Sequence, residues 1–148
     1  MDERFLEIRK YDGEGYKELV AYGGWRVAIL RYLDELQPDQ IDEMERHTGT
    51  DEVFVLLHGL GVLLLGGNEA RVSGIYSQAM EHGNIYNVKC NVWHTILLSW
   101  DASVLLMENR DTGRHNSEYT SLTKEQQHSI LEIAQQRFSP DEPFPIPQ

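Results

Sequence analysis

The sequence predicts an all-β protein, a sandwich or barrel of short strands followed by one C-terminal α-helix. Short apolar runs such as 53–57 and 62–65 are separated by clusters of Gly, Asn and Asp, the pattern of strands joined by tight turns. After Asn109 the character changes to a polar loop over 110–117. Beyond Thr123, Ile130, Ile133, Ala134 and Phe138 recur at helical spacing, so one helix face should dock on the strands.

The elements follow in order. Residues 1–11 are charged and give little signal, and D-G-E-G at 12–15 is a turn. Residues 16–21, the Gly23-Gly24 break and residues 25–33 read as a β-hairpin rich in aromatic and branched side chains. In the strand expected over 41–47, the odd positions Ile41, Glu43, Glu45 and His47 share one face. T-G-T-D turns the chain into a strand at 52–57, and H-G-L-G at 58–61 leads into 62–65. Further strands are expected at 70–72, 85–88, 92–99 and 103–108. Thr123 with Gln126 fits a capping box for a helix over about 123–138. Ser139-Pro140 stops that helix, and 139–148 reads as an extended tail.

At 148 residues the chain suits a single domain with one substantial core. Its 24 acidic residues against 13 basic ones argue against nucleic acid and anionic membranes as partners, since both reward clustered Lys and Arg. Cys90 is the one cysteine, so neither an intramolecular disulfide nor a cysteine-rich zinc site is possible. Apolar runs such as 62–65 fall far short of a membrane span of about 20 residues. The start M-D-E-R-F-L lacks the apolar region of a secretory signal, so a cytoplasmic location is expected. No glycine-rich phosphate loop and no serine-nucleophile elbow is present, and Cys90 has no evident activating partner.

Residues 45–59, E-R-H-T-G-T-D-E-V-F-V-L-L-H-G, carry the chemistry. Glu45, His47 and Glu52 stand within eight residues, directly before an apolar strand. Charges held that close to a core need a partner, because an unpaired buried charge is costly. This stretch resembles the first motif of the cupin superfamily, small jelly-roll β-barrels. His47, Glu52 and Gly59 stand at the motif's second histidine, glutamate and closing glycine. Glu45 occupies the first histidine position and Asp39 the leading glycine. In the second motif Gly83 and His94 match, while Lys89, Asn91 and Leu98 replace proline, glycine and asparagine. Asn91 is a tolerable substitute because Asn accepts the positive φ that a turn glycine supplies. The resemblance covers roughly 37–109 and implies a cupin jelly-roll β-barrel, about 16–109, with the C-terminal α-helix added.

The resemblance further implies a metal held by Glu45, His47, Glu52 and His94. Two imidazoles with two carboxylates suit Zn, Mn, Fe or Ni. A carboxylate at position 45 makes the set harder and offsets more of the ion's charge, which leans away from oxygen activation. Phe54 and Leu56 continue the face of Glu52, and Ile96 and Leu98 that of His94, so these should line an apolar pocket wall. Trp25, Tyr32, Trp93, Trp100 and Met107 are further lining candidates, depending on strand phase. His58 stands six residues beyond Glu52, roughly 20 Å along a strand, too far to share the ion. His82 and His128 read as exposed, and His115 as a surface-loop residue.

The expected function is a metal-dependent isomerase, epimerase or lyase acting on a small, carbohydrate-type molecule. The alternatives are a metal-dependent dioxygenase and a non-catalytic small-ligand-binding cupin. Residues 25–33 are apolar on both strand faces, which favours a homodimer.

Overall fold

Ten strands form two five-stranded antiparallel sheets, and one helix covers the outside of the second; the computed structural model describes residues 1–138. The extended tail expected at 139–148 lies outside the described residues. The strands are β1 (Tyr16–Tyr22), β2 (Trp25–Arg31), β3 (Glu43–His47), β4 (Glu52–His58), β5 (Gly61–Leu65), β6 (Tyr76–Ala79), β7 (Tyr86–Val88), β8 (His94–Leu98), β9 (Ser103–Asn109) and β10 (Ser117–Ser121). The helix is α1 (Lys124–Arg137). The first sheet runs β1-β2-β9-β4-β7 and the second β10-β3-β8-β5-β6. No strand pairing joins the two sheets among the described residues, so the expected closed barrel is an open sandwich here.

Local chemistry explains the strand order. Gly23, at φ 54°, makes the two-residue turn between β1 and β2, a conformation that suits glycine. Gly59 takes φ 74° where β4 turns into β5, and a Cβ there would lie 2.7 Å from the Ala102 Cα. Only glycine fits that approach. Asn91 takes φ 67° in the turn before β8, the left-handed conformation expected of it.

Two expectations needed revision. Residues 70–72 do not form a strand; Val72 is buried, and its carbonyl accepts from the Gln126 side chain of α1. The polar segments Y-S-Q-A and S-E-Y-T-S form β6 and β10, the two edges of the second sheet. Edge strands pair on one side and need no apolar pattern, which is why composition passed over them.

The core has two layers. Phe54, Leu56, Leu63, Ile96, Leu98, Val104 and Leu106 meet between the sheets. Val62, Leu64, Trp93 and Leu97 face the other way, against Ile130, Ala134 and Phe138. Strands β5 and β8 are therefore buried on both faces, and their run of buried residues follows from that. The capping box forms as expected, with Gln126 N–H donating to Thr123 Oγ1 at 3.1 Å and Thr123 N–H to Gln126 Oε1 at 2.9 Å.

Candidate metal centre

Strand alternation delivers polar groups to one end of the inter-sheet space. Glu52 shares a face with Phe54 and Leu56, and all three are buried. His94 likewise precedes Ile96 and Leu98 on β8, while Glu45 and His47 share a face of β3. The one pairing between β3 and β8 sets Glu45 opposite His94. The four residues are thereby brought together from three strands. One potential ligand atom from each of Glu45, His47 and His94 lies within 4.8 Å of the others.

Glu52 is the hub. Its Oε2 lies 2.9 Å from His47 Nε2 and 3.0 Å from His94 Nε2. His94 Nδ1 lies 2.9 Å from the Val92 carbonyl oxygen, which can only accept, so Nδ1 carries the proton. In neutral His94 the Nε2 lone pair then points at a carboxylate oxygen. Two acceptors at 3.0 Å need a cation between them, either a proton or a metal ion. His47 is oriented from behind in the same manner, its Nδ1 lying 2.8 Å from Ser117 Oγ on β10. Burial opposes charge on Glu52, yet its hydrogen bonds with the two imidazoles hold the carboxyl at about 2. Burial would also lower the imidazole pKa values, but the Glu52 carboxylate more than offsets it and raises both.

A third carboxylate was not foreseen. Glu108 closes the inward series Val104, Leu106, Glu108 on β9 and is itself buried. Its Oε1 accepts from Arg26 Nη2 at 2.7 Å and Nε at 3.2 Å, and from the Tyr16 hydroxyl at 3.5 Å. Burial and the Glu52 charge push its pKa up, against the pull of Arg26. Burial and Glu108 push the Tyr16 hydroxyl up to about 12, which keeps it a donor. A signal existed in the sequence, since a glutamate in phase with two apolar residues on a strand continues a buried face.

These groups line one end of a cavity of about 630 Å³. Phe54 and Ile96 line it, together with Leu30, Leu36 and Leu106. Leu56 does not reach it and is buried deeper between the sheets. Met107 and Trp25 fall on the outward phase of β9 and β2, beside inward Glu108 and Arg26, and stand 41% and 38% exposed. Tyr32 lies beyond the end of β2, its hydroxyl 3.4 Å from Asp34 Oδ1, and does not line the cavity. Leu98 and Trp93 are core residues, and Trp100 is exposed.

The remaining histidines lie away from the cavity. His58 ends β4 at the surface, 3.5 Å from Asp101 Oδ2, and His115 is 2.9 Å from Asp111 Oδ1 in its own loop. His82 and His128 are exposed. At the mouth, Arg114 sits 5.0 Å over the Tyr119 ring. Tyr119 pairs with Glu45 across β10 and β3, and burial together with the Glu45 carboxylate pushes its hydroxyl pKa up.

No protein-family model matches the chain, and no curated protein matches it. Solved structures do. A Streptomyces PAC13 variant with uridine matches at TM-score 0.54 and 10% identity, over 79% of this chain and 88% of that one. The Helicobacter canadensis 3,4-ketoisomerase matches at TM-score 0.50 and 16% identity, over 72% and 74%. The Staphylococcus aureus capsular polysaccharide assembling protein CapF matches at TM-score 0.54 and 14% identity, over 82% of this chain and 34% of that one. The chain has the cupin fold. At these identities the likeness to the three structures is one of fold. Among the described residues, no helix is long and apolar enough to cross a membrane.

Proposed function

We propose that this cupin is a metal-dependent enzyme acting on a small, polar, carbohydrate-type molecule by isomerisation, epimerisation or elimination. One observation carries the metal reading: the Nε2 atoms of His47 and His94, both rings oriented from behind through Nδ1, converge on Glu52 Oε2 at 2.9 and 3.0 Å. His47, Glu52 and His94 would hold the ion, with a carboxylate from Glu45 or Glu108 completing the set. The donors suit Zn, Mn, Fe or Ni. When bound, such an ion polarises a carbonyl or stabilises an enolate.

The chain's own residues supply the rest. The Val92 carbonyl and the Ser117 hydroxyl orient the two imidazoles. Phe54, Ile96 and Leu106 form an apolar wall that excludes water from one side of the substrate. Glu45, half-buried at the rim beside Tyr119, is placed to move a proton. Arg114 is placed to meet a carboxylate or phosphate on the substrate. The fold is shared with a PAC13 variant seen with uridine and with a 3,4-ketoisomerase, which supports a carbohydrate-type ligand. Outward Trp25, Leu57 and Met107 on the first sheet support a homodimer, which light scattering would test.

The reading is tested by refolding the protein with Mn, Fe, Zn and Ni, measuring metal content, and screening sugars and sugar acids by thermal shift. Retained metal, a stabilising sugar-type ligand and turnover of that ligand are expected. Absence of any bound metal in all four preparations would end the metal reading; binding without turnover would make the protein a ligand-binding cupin.

A further inference from the structure

We propose that Glu108 is a ligand of the cation, completing a set with His47, Glu52 and His94 and leaving Glu45 free at the rim; this rests on the metal reading above. The observation behind it is an orphaned atom. Glu108 Oε2 is buried without a hydrogen-bond partner, in a side chain only 4% exposed. A buried carboxylate oxygen left that way is costly.

The strand register explains how the atom comes to be there. Val53 pairs with Met107 across β4 and β9. One residue further along, the same register sets Glu52 opposite Glu108, both on the inward face. Like charges directly opposite on a sheet destabilise it, and burial removes the water that would screen them. Arg26 and Tyr16 engage only Oε1 of Glu108. That arrangement fixes the carboxylate with Oε2 turned inward, 3.7 Å from His47 Nε2.

One ligand atom from each of His47, Glu52 and Glu108 lies within 4.8 Å of the others, and all three residues are buried. Ligands about 2.0–2.2 Å from one ion are separated by up to about 4.4 Å, so small side-chain movements bring these atoms into a single shell. Glu45 is placed less well. Its side chain is 39% exposed, its Oε1 is 4.0 Å from His47 Nε2, and it interacts with Tyr119. Arg26 and Tyr16 serve only Oε1 of Glu108, and a bound cation would satisfy its orphaned Oε2.

The test compares wild type, Glu108→Gln and Glu45→Gln, each stripped with chelator and titrated with Co(II), reading affinity and the visible absorption of the bound ion. Gln at 108 can still accept from Arg26, so the supporting contact is kept. Glu108→Gln should weaken binding by about 10-fold or more and change the absorption band, while Glu45→Gln stays within about threefold of wild type. Unchanged affinity and spectrum in Glu108→Gln, with loss in Glu45→Gln, would overturn the assignment and leave the metal reading intact. Wild type that binds no Co(II) would overturn both. Should Glu108→Gln misfold, wild-type crystals soaked with Mn(II) decide the matter by anomalous scattering: an ion bonded to Glu108 supports the proposal, and one bonded to Glu45 but not Glu108 refutes it.

Discussion

The two ends of the inter-sheet space are built on the same strands and face the same way, yet they behave as different materials. At one end Leu56, Leu98 and Val104 are at most 1% exposed and pack in one apolar cluster. At the other, on the same faces of β4, β8 and β9, stand Glu52, His94 and Glu108. Moving two or four residues along a strand turns packed core into a cluster of charges. The backbone is continuous through both, so the chemistry of the polar end can change while the apolar end holds the sheets together.

Substitutions at the two ends should separate stability from binding. Leu56→Ala should cost about 2–5 kcal/mol, read by denaturant unfolding, while the folded fraction still binds metal. If metal binding falls in proportion to the truncation without loss of stability, the two ends are not independent. Glu52→Gln should reverse the pattern, weakening metal affinity by about 100-fold or more, as expected for loss of the shared hub. Near-wild-type affinity in that variant would remove Glu52 from the site.

pH should act on the polar end alone. Glu52 is held at about 2, below its ordinary 4.5, so its pairing stabilises the metal-free protein above 4.5 and is lost as pH falls toward 2. His47 and His94 are raised above 6.5, so their contribution is complete below 6.5 and is lost as pH rises through their raised values. The contribution of this cluster to metal-free stability should therefore be greatest between 4.5 and 6.5. Metal affinity should instead climb along the upper limb, because the ion must displace the imidazolium protons. Thermal midpoints of chelator-treated and Co(II)-loaded protein across this range would show it; parallel curves would contradict it. The smallest effect is expected outside the sandwich. His128→Ser, at an exposed position of α1, should change stability by roughly 0.5 kcal/mol or less and leave metal affinity unchanged. A fall in affinity would tie the helix surface to the site.

Much of the site was readable because alternation is local. Glu45 with His47, Glu52 with Phe54, and His94 with Ile96 each lie two apart on a strand, and their shared faces follow from that spacing. The family motifs added His94 as a partner from far along the chain. Trp25 and Met107 were misplaced because both lie one residue out of phase with the inward face. Leu56 was right in phase but too deep to reach the cavity. The polar edges β6 and β10 escaped notice because neither needs to be apolar, and with β10 went Ser117, which orients His47.

The sequence by itself determined which strands exist at the centre of each sheet, the helix and its cap, and which side chains of β3 and β4 share a face, because periodicity, capping and turn chemistry act over a few residues. Tertiary structure alone decided that the sheets remain open, that Glu45 stands opposite His94, and that Glu108 comes beside Glu52 with its Oε1 held by Arg26 and Tyr16. Those facts depend on register between strands distant in sequence, and register is set by packing the whole sheet at once.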